Sequence, residues 1–211
     1  MKKGRSPVNQ EDKIKEDFKR LSLAIQRAVE AEQVWREFGS PENHNKYSTQ
    51  FDIYIPFFNT TRDLALCQLL TFVSRAYDST SGALNIEKLL KRMKKANYPV
   101  QEIDELMRLY SSHDHLWKKI KILRDECIAH TSSNYSEKMA FKKANIKNDE
   151  VSLAVDVARN ILVKSGEIIG VRNSYISKGN LEVKEDCNKL LRNLKAGREA
   201  RLNSSADSEY T

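Results

Sequence analysis

Leu123 to His130 reads L-R-D-E-C-I-A-H, and it closes an amphipathic helix. Upstream, Leu116, Ile120, Leu123 and Cys127 recur at alternating spacings of four and three, the interval that lines one helix face. The preceding S-S-H-D-H supplies cap-type residues for its start. Arg124, Asp125 and His130 gather at the helix end, before the polar loop from Thr131 to Tyr135. Six positions at about 100° each set His130 about 120° round from Arg124 on an ideal helix, so the two do not share a narrow stripe. His130 also continues the stripe of Leu123 and Cys127 at a helix C-terminus, where a histidine can simply cap carbonyls and favour the negative end of the dipole.

The same periodicity runs outward in both directions. Between Glu11 and Phe38 the positions Ile14, Phe18, Leu21, Ile25, Ala28 and Trp35 form one face, with Glu32 as the exception, and Gly39, Ser40 and Pro41 end the helix. A second long segment carries Phe51, Ile55, Phe58, Ala65, Leu69, Phe72 and Ala76, with Pro56 marking a kink or a late start. Arg62 stands in that stripe where an apolar residue is expected, beside Asp63, which reads as an ion pair at the edge of the core or as a cation for a polyanion. After the D-S-T-S-G turn come Leu84, Leu89, Leu90 and Met93 on one short helix, then Val100, Ile103, Leu106, Leu109 and Tyr110 on another. Beyond the motif, Asn148 or Asp149 is expected to cap a long helix through Val151, Val155, Ala158, Leu162, Ile169 and Ile176. A more polar helix from about Leu181 to Leu202 follows.

Composition agrees with an all-α chain. Of 211 residues 31% are charged and 40% hydrophobic, with only 7 glycines and 4 prolines, which favours long helices over turn-rich sheets. The length suits one helical domain, expected over residues 11–202 between a flexible N-terminus (1–10) and a disordered tail (203–211). No apolar run is long enough to span a bilayer and no h-region follows the basic N-terminus, so a cytoplasmic chain with no membrane association is expected. Cys67, Cys127 and Cys187 lie far apart in apolar helical contexts, where cysteine behaves as a small buried hydrophobe. His113, Asp114 and His115 do not put both imidazoles on one face, and no Cys or Glu cluster completes a shell, so neither a metal nor a cofactor is expected. Phosphate-loop, dinucleotide, nucleophile-elbow and zincin patterns are all missing. The net charge of +7 permits attraction to nucleic acid, although basic runs are commonly solvated faces.

L-R-D-E-C-I-A-H resembles the signature of the HEPN superfamily, an Arg, a polar residue, a short spacer and a His, and within it the abortive-infection AbiU-like branch. The segment from Phe57 to Asp78, F-F-N-T-T-R-D-L-A-L-C-Q-L-L-T-F-V-S-R-A-Y-D, resembles the same branch, with an Arg-x-x-Asp step before a turn. The likeness extends over roughly Phe18 to His130. It implies an up-and-down helical bundle with additional C-terminal helices and, where Arg and His are intact, a metal-independent endoribonuclease of the toxin or abortive-infection kind. It further implies a homodimer whose motif helices meet, an RNA substrate, and an antitoxin or operon partner protein. On that resemblance the catalytic residues are Arg124 and His130, with Asp125 as the polar neighbour.

Such chemistry suits these residue types. Cleavage without a metal uses the adjacent 2′-OH as nucleophile and needs a group that exchanges a proton near neutral pH, which His130 offers. The phosphorane-like transition state gathers negative charge that the guanidinium of Arg124 can bind. Arg62, Lys91, Lys95, Lys142 and Lys143 are candidate RNA-backbone contacts. Two departures stand against the resemblance. Asp125 occupies the position where Asn is more usual, and Ser132 stands where toxins controlled by adenylylation often carry Tyr, the nearest tyrosine being Tyr135. A non-catalytic HEPN-fold module that binds RNA, a nucleotide or a partner protein is the alternative.

Overall fold

Every position of the first apolar stripe is buried. In the computed structural model, which describes residues 10–129, 136–171 and 181–208, α1 (Gln10–Gly39) packs Ile14, Phe18, Leu21, Ile25, Ala28 and Trp35 inward. Glu32, the exception in that stripe, pairs with Arg36 one turn on, at 3.6 Å. The order continues as α2 (Pro41–Lys46), α3 (Ser48–Ile53), α4 (Ile55–Tyr77), α5 (Ile86–Lys95), α6 (Val100–Ser112) and α7 (Asp114–Arg124). A π-helical turn (Asp125–Ala129) follows, then α8 (Glu137–Ala144), α9 (Asn148–Ile168) and α10 (Leu181–Ser208). No strand occurs among the described residues, which are all-α.

The chain divides into two compact units, residues 1–29 with 67–179 and residues 30–66 with 180–211, so α1 and α4 each contribute to both. In the first unit α9 is the central element and packs on α5, α6 and α7. Its Val151, Ala154, Val155, Ala158, Ile161 and Leu162 are fully enclosed, the pattern of a helix buried on more than one side. A Cβ at Gly166 would meet Phe18 Cζ at 2.9 Å and the Val171 carbonyl oxygen at 2.8 Å, so only glycine allows this approach of α1 and α9. The half-exposed Arg92 on α5 bonds Asp17 of α1, a buried carboxylate whose charge this pairing compensates.

In the second unit Phe38, Tyr47, Phe51 and Phe58 form an aromatic cluster closed by Cys187 and Leu191 of α10. Phe38 and Phe58 meet edge to face, with centroids 5.0 Å apart. Glu37 ties the same elements together, accepting from Asn43 Nδ2 at 3.0 Å and from Asn188 Nδ2 at 3.1 Å.

Pro56 starts a helix late instead of kinking one. α3 ends at Ile53, and α4 opens at Ile55 with Pro56 in its first turn, where the missing N–H costs nothing. Two stripe positions do not hold: Ile55 and Val100 are about half exposed. Each opens its helix, and a first-position side chain leans off the N-terminal end. α4 instead buries Leu66, Leu70 and Val73 beside Ala65 and Leu69. Of the cysteines only Cys187 is fully buried, and burial pushes its thiol up to about 11.

α9 is capped one residue earlier than the sequence suggests. Its N-cap is Lys147, not Asn148 or Asp149, and the Lys147 N–H donates to Glu150 Oε2 at 2.9 Å, the half of a capping box that needs only the glutamate. It stops at Ile169 because Gly170, at φ +68°, makes a Schellman closure: Val171 N–H to Gly166 O at 2.9 Å and Gly170 N–H to Glu167 O at 3.2 Å. Ile176, expected on the same helix, lies outside the described residues. α10 continues to Ser208, past Leu202. No helix of the described residues is long and apolar enough to cross a membrane.

Candidate functional site

The motif helix is anchored by its apolar face, which fixes where its polar end points. Leu116, Trp117, Ile120 and Leu123 are buried, while Cys127 is only half-buried and Ile128 is exposed. The stripe fades at Cys127 because Asp125–Ala129 winds as a π turn, which widens the ring of backbone hydrogen bonds and shifts every later side chain from its α-helical phase. The ideal-helix offset of about 120° between Arg124 and His130 therefore no longer applies. His130 itself lies outside the described residues, as do Thr131 to Tyr135, including Ser132.

Arg124, the last residue of α7, donates from Nε and Nη2 to Asp125 Oδ1, at 2.9 and 2.6 Å. Their side chains are 32% and 44% exposed, so the pair sits at the surface within reach of a ligand. Of the five guanidinium N–H donors, the two bonds to Asp125 use one on Nε and one on Nη2. Among the described residues nothing bonds Nη1, while Asp125 holds the plane of the group. α8 braces the same turn, since Lys143 bonds Glu126 at 2.7 Å.

Arg124 also lines a cleft of about 550 Å³. Its walls come from the end of α4 and the turn after it, from α5, from the end of α6 and from α7. Tyr77 stacks on Trp117 with centroids 3.4 Å apart and rings 13° from parallel, and the tilted Tyr110 ring lies 5.8 Å from Tyr77. Tyr77 Oη donates to the Ala154 carbonyl at 3.0 Å and Trp117 Nε1 to the Tyr110 carbonyl at 3.2 Å, so both buried polar tips are satisfied. Burial raises the Tyr110 phenol to about 12, helped by the charges of Glu87 and Asp114.

Both signs of charge line the cleft: Asp78, Glu87 and Asp114 against Lys118, Lys121 and Arg124. Lys118 bonds Asp114 at 2.6 Å, Lys91 bonds Glu87 at 2.5 Å and Arg124 bonds Asp125 at 2.6 Å, so among the described residues Asp78 and Lys121 are the charges of the cleft without an ion pair. Hydrogen bonds from Thr80 hold the Asp78 carboxyl below its ordinary value, and the cations of Arg124 and Lys121 add to this.

The sequence-based candidates do not all meet here. Arg124 and Asp125 are together, and Lys143 joins them through Glu126. Lys91 reaches the cleft edge through Glu87, and Lys95 is exposed at the end of α5. Lys142 lines a separate hollow with Lys119, Lys147 and Glu150. Arg62 belongs to the other unit, where its Nε would lie 2.8 Å from a Cβ on Gly39. Sequence reasoning passed over Asp78, Lys121 and Tyr110. The signals for Asp78 were the Arg-x-x-Asp step that begins at Arg75 and the D-S-T turn, in which its carboxylate accepts from the Thr80 N–H at 2.9 Å. Among the described residues no group of three His, Cys, Asp or Glu is placed to hold a metal.

An all-α bundle whose motif helix ends at Arg124 agrees with the HEPN class that the sequence resembles. Within that class the chain belongs to the AbiU2 family, whose HEPN family model matches residues 11–184. No curated protein and no solved structure matches it.

Proposed function

We propose that this protein is a metal-independent endoribonuclease of the abortive-infection kind, acting as a homodimer on RNA in the cytoplasm. The observation that supports this best is the placement of Arg124: partly exposed, oriented by Asp125 and at the edge of a cleft, a few residues ahead of the motif histidine in a chain of the AbiU2 family. His130 takes the proton from the ribose 2′-OH as the oxygen attacks the adjacent phosphorus. Arg124 holds the nonbridging oxygens as negative charge builds on them. The P–O5′ bond breaks, a proton returns to the leaving oxygen, and a 2′,3′-cyclic phosphate and a 5′-OH remain. One phosphate is gripped by Arg124 and His130 from two protomers, and the exposed Lys95 and Lys142 contact the RNA backbone.

His130→Ala and Arg124→Ala are each expected to reduce RNA cutting at least about 100-fold, the scale of losing a general acid–base or a preorganised oxyanion donor, with helical circular dichroism unchanged. Undiminished cutting by His130→Ala rejects the mechanism. The second reading, a module that binds without cutting, has one observation in its favour: the anion Asp125 already sits on the guanidinium that is to bind phosphate. It predicts RNA binding with a salt dependence set by the phosphates contacted and no product at any protein concentration.

A further inference from the structure

The cleft beside Arg124 contains more than a phosphate site requires. Ser74, only 8% exposed, lines it, and its buried hydroxyl has no hydrogen-bond partner among the described residues, which is costly unless something else supplies one. Asp78 adds a carboxylate that accepts from the Thr80 N–H through Oδ1 and retains several lone pairs for another donor. Tyr77 and Trp117 cover each other, so the half-buried Tyr110 is the ring able to take a flat ligand. Lys121 and Arg124 supply positive charge in the same cleft.

A simple anion would meet Asp78, and a simple cation would meet Lys121 and Arg124. A nucleotide meets both demands, with a phosphate at one end and base-edge donors at the other. Among the four RNA bases guanine alone offers two adjacent N–H donors, N1–H and N2–H, in the spacing a carboxylate accepts. The volume of about 550 Å³ lies within the range of small-ligand pockets. We propose that this cleft is a guanine-nucleotide site: Asp78 accepts from N1–H and N2–H, Tyr110 stacks on the base, Ser74 bonds its polar edge, and Lys121 and Arg124 hold the phosphate. Its role as the subsite beside the scissile phosphate rests on the nuclease reading; nucleotide binding itself does not.

The test titrates each nucleoside monophosphate, as its 3′ and its 5′ isomer, into the full-length chain by calorimetry. GMP is expected to bind at least about tenfold tighter than AMP, CMP and UMP in one isomer series, since a site built to hydrogen-bond a ligand rejects analogues lacking the donors. Asp78→Asn is expected to lose that margin, while its amide oxygen still accepts from the Thr80 N–H and keeps the turn. Equal affinity for all four nucleotides, or an Asp78→Asn variant with the margin intact, overturns the proposal. RNA cutting in EDTA by the same preparations separates the two readings. Guanine-selective binding without cutting keeps the site and rejects the nuclease, and cutting with no guanine preference in the titration does the reverse.

Discussion

Arg124 and Asp125 are bonded through two N–H groups, yet both stay partly in water, so the pair contributes no more than about 1 kcal/mol to stability. Its weight falls on orientation. Asp125→Asn is expected to change the unfolding free energy in urea by less than about 1 kcal/mol, and to tighten RNA binding by removing an anion from the phosphate site. Weaker RNA binding in that variant means that Asp125 holds the guanidinium in place more than it competes for it. Tyr110 gives a pH prediction. Its phenol titrates at about 12 instead of 10, so above pH 10 the unfolded chain loses a proton that the folded chain keeps. The contribution is complete below pH 10 and disappears as the pH rises through 12. Tyr77, whose phenol burial raises well above its ordinary value, acts in the same direction. Tyr110→Phe should therefore flatten the fall in stability between pH 10 and 12 without abolishing it, as read from urea midpoints across that range.

Three helix ends among the described residues are set by left-handed residues. Gly170 stops α9 at φ +68°, and Asn97 and Asn145 do the same for α5 and α8 at φ +61° and +47°. Open space surrounds a Cβ at Gly170, so Gly170→Ala tests the backbone alone and should cost about 1 kcal/mol or slightly more. Asn145→Gly should be neutral or slightly stabilising, and an equal loss for both variants in thermal unfolding would contradict this. The long helices could be read from the sequence because an apolar stripe repeated over many turns survives small errors of phase, as in α1, where all six stripe positions are buried. α8 escaped that reading. Its eight residues give about two turns, too few for a stripe to stand out, and the start was marked only by Ser136, whose side chain accepts from the Met139 N–H. The π turn left no mark in the sequence, since it arises from the backbone bonding of Asp125–Ala129 and not from a residue type. At the site, Arg124 and Asp125 were legible because the motif is contiguous. Asp78 and Tyr110 were not, because tertiary packing of α4, α6 and α7 brings them to Arg124 from distant parts of the chain.

Across the whole molecule an excess of basic charge, +7, accompanies a site that is locally balanced, with three anions facing three cations in the cleft. On the proposed reading, long-range attraction to RNA comes from exposed helix ends such as Lys95 on α5 and Lys142 on α8, and the cleft supplies selectivity. The HEPN bundle is compatible with either cutting or binding, so the fold does not decide the activity. The products do. Purified full-length protein incubated with single-stranded RNA in excess EDTA should generate fragments ending in a 2′,3′-cyclic phosphate and starting with a 5′-OH. Intact RNA in EDTA, cutting that appears only when Mg²⁺ is restored, or fragments carrying 5′-phosphate ends would contradict the metal-independent mechanism assigned to Arg124 and His130.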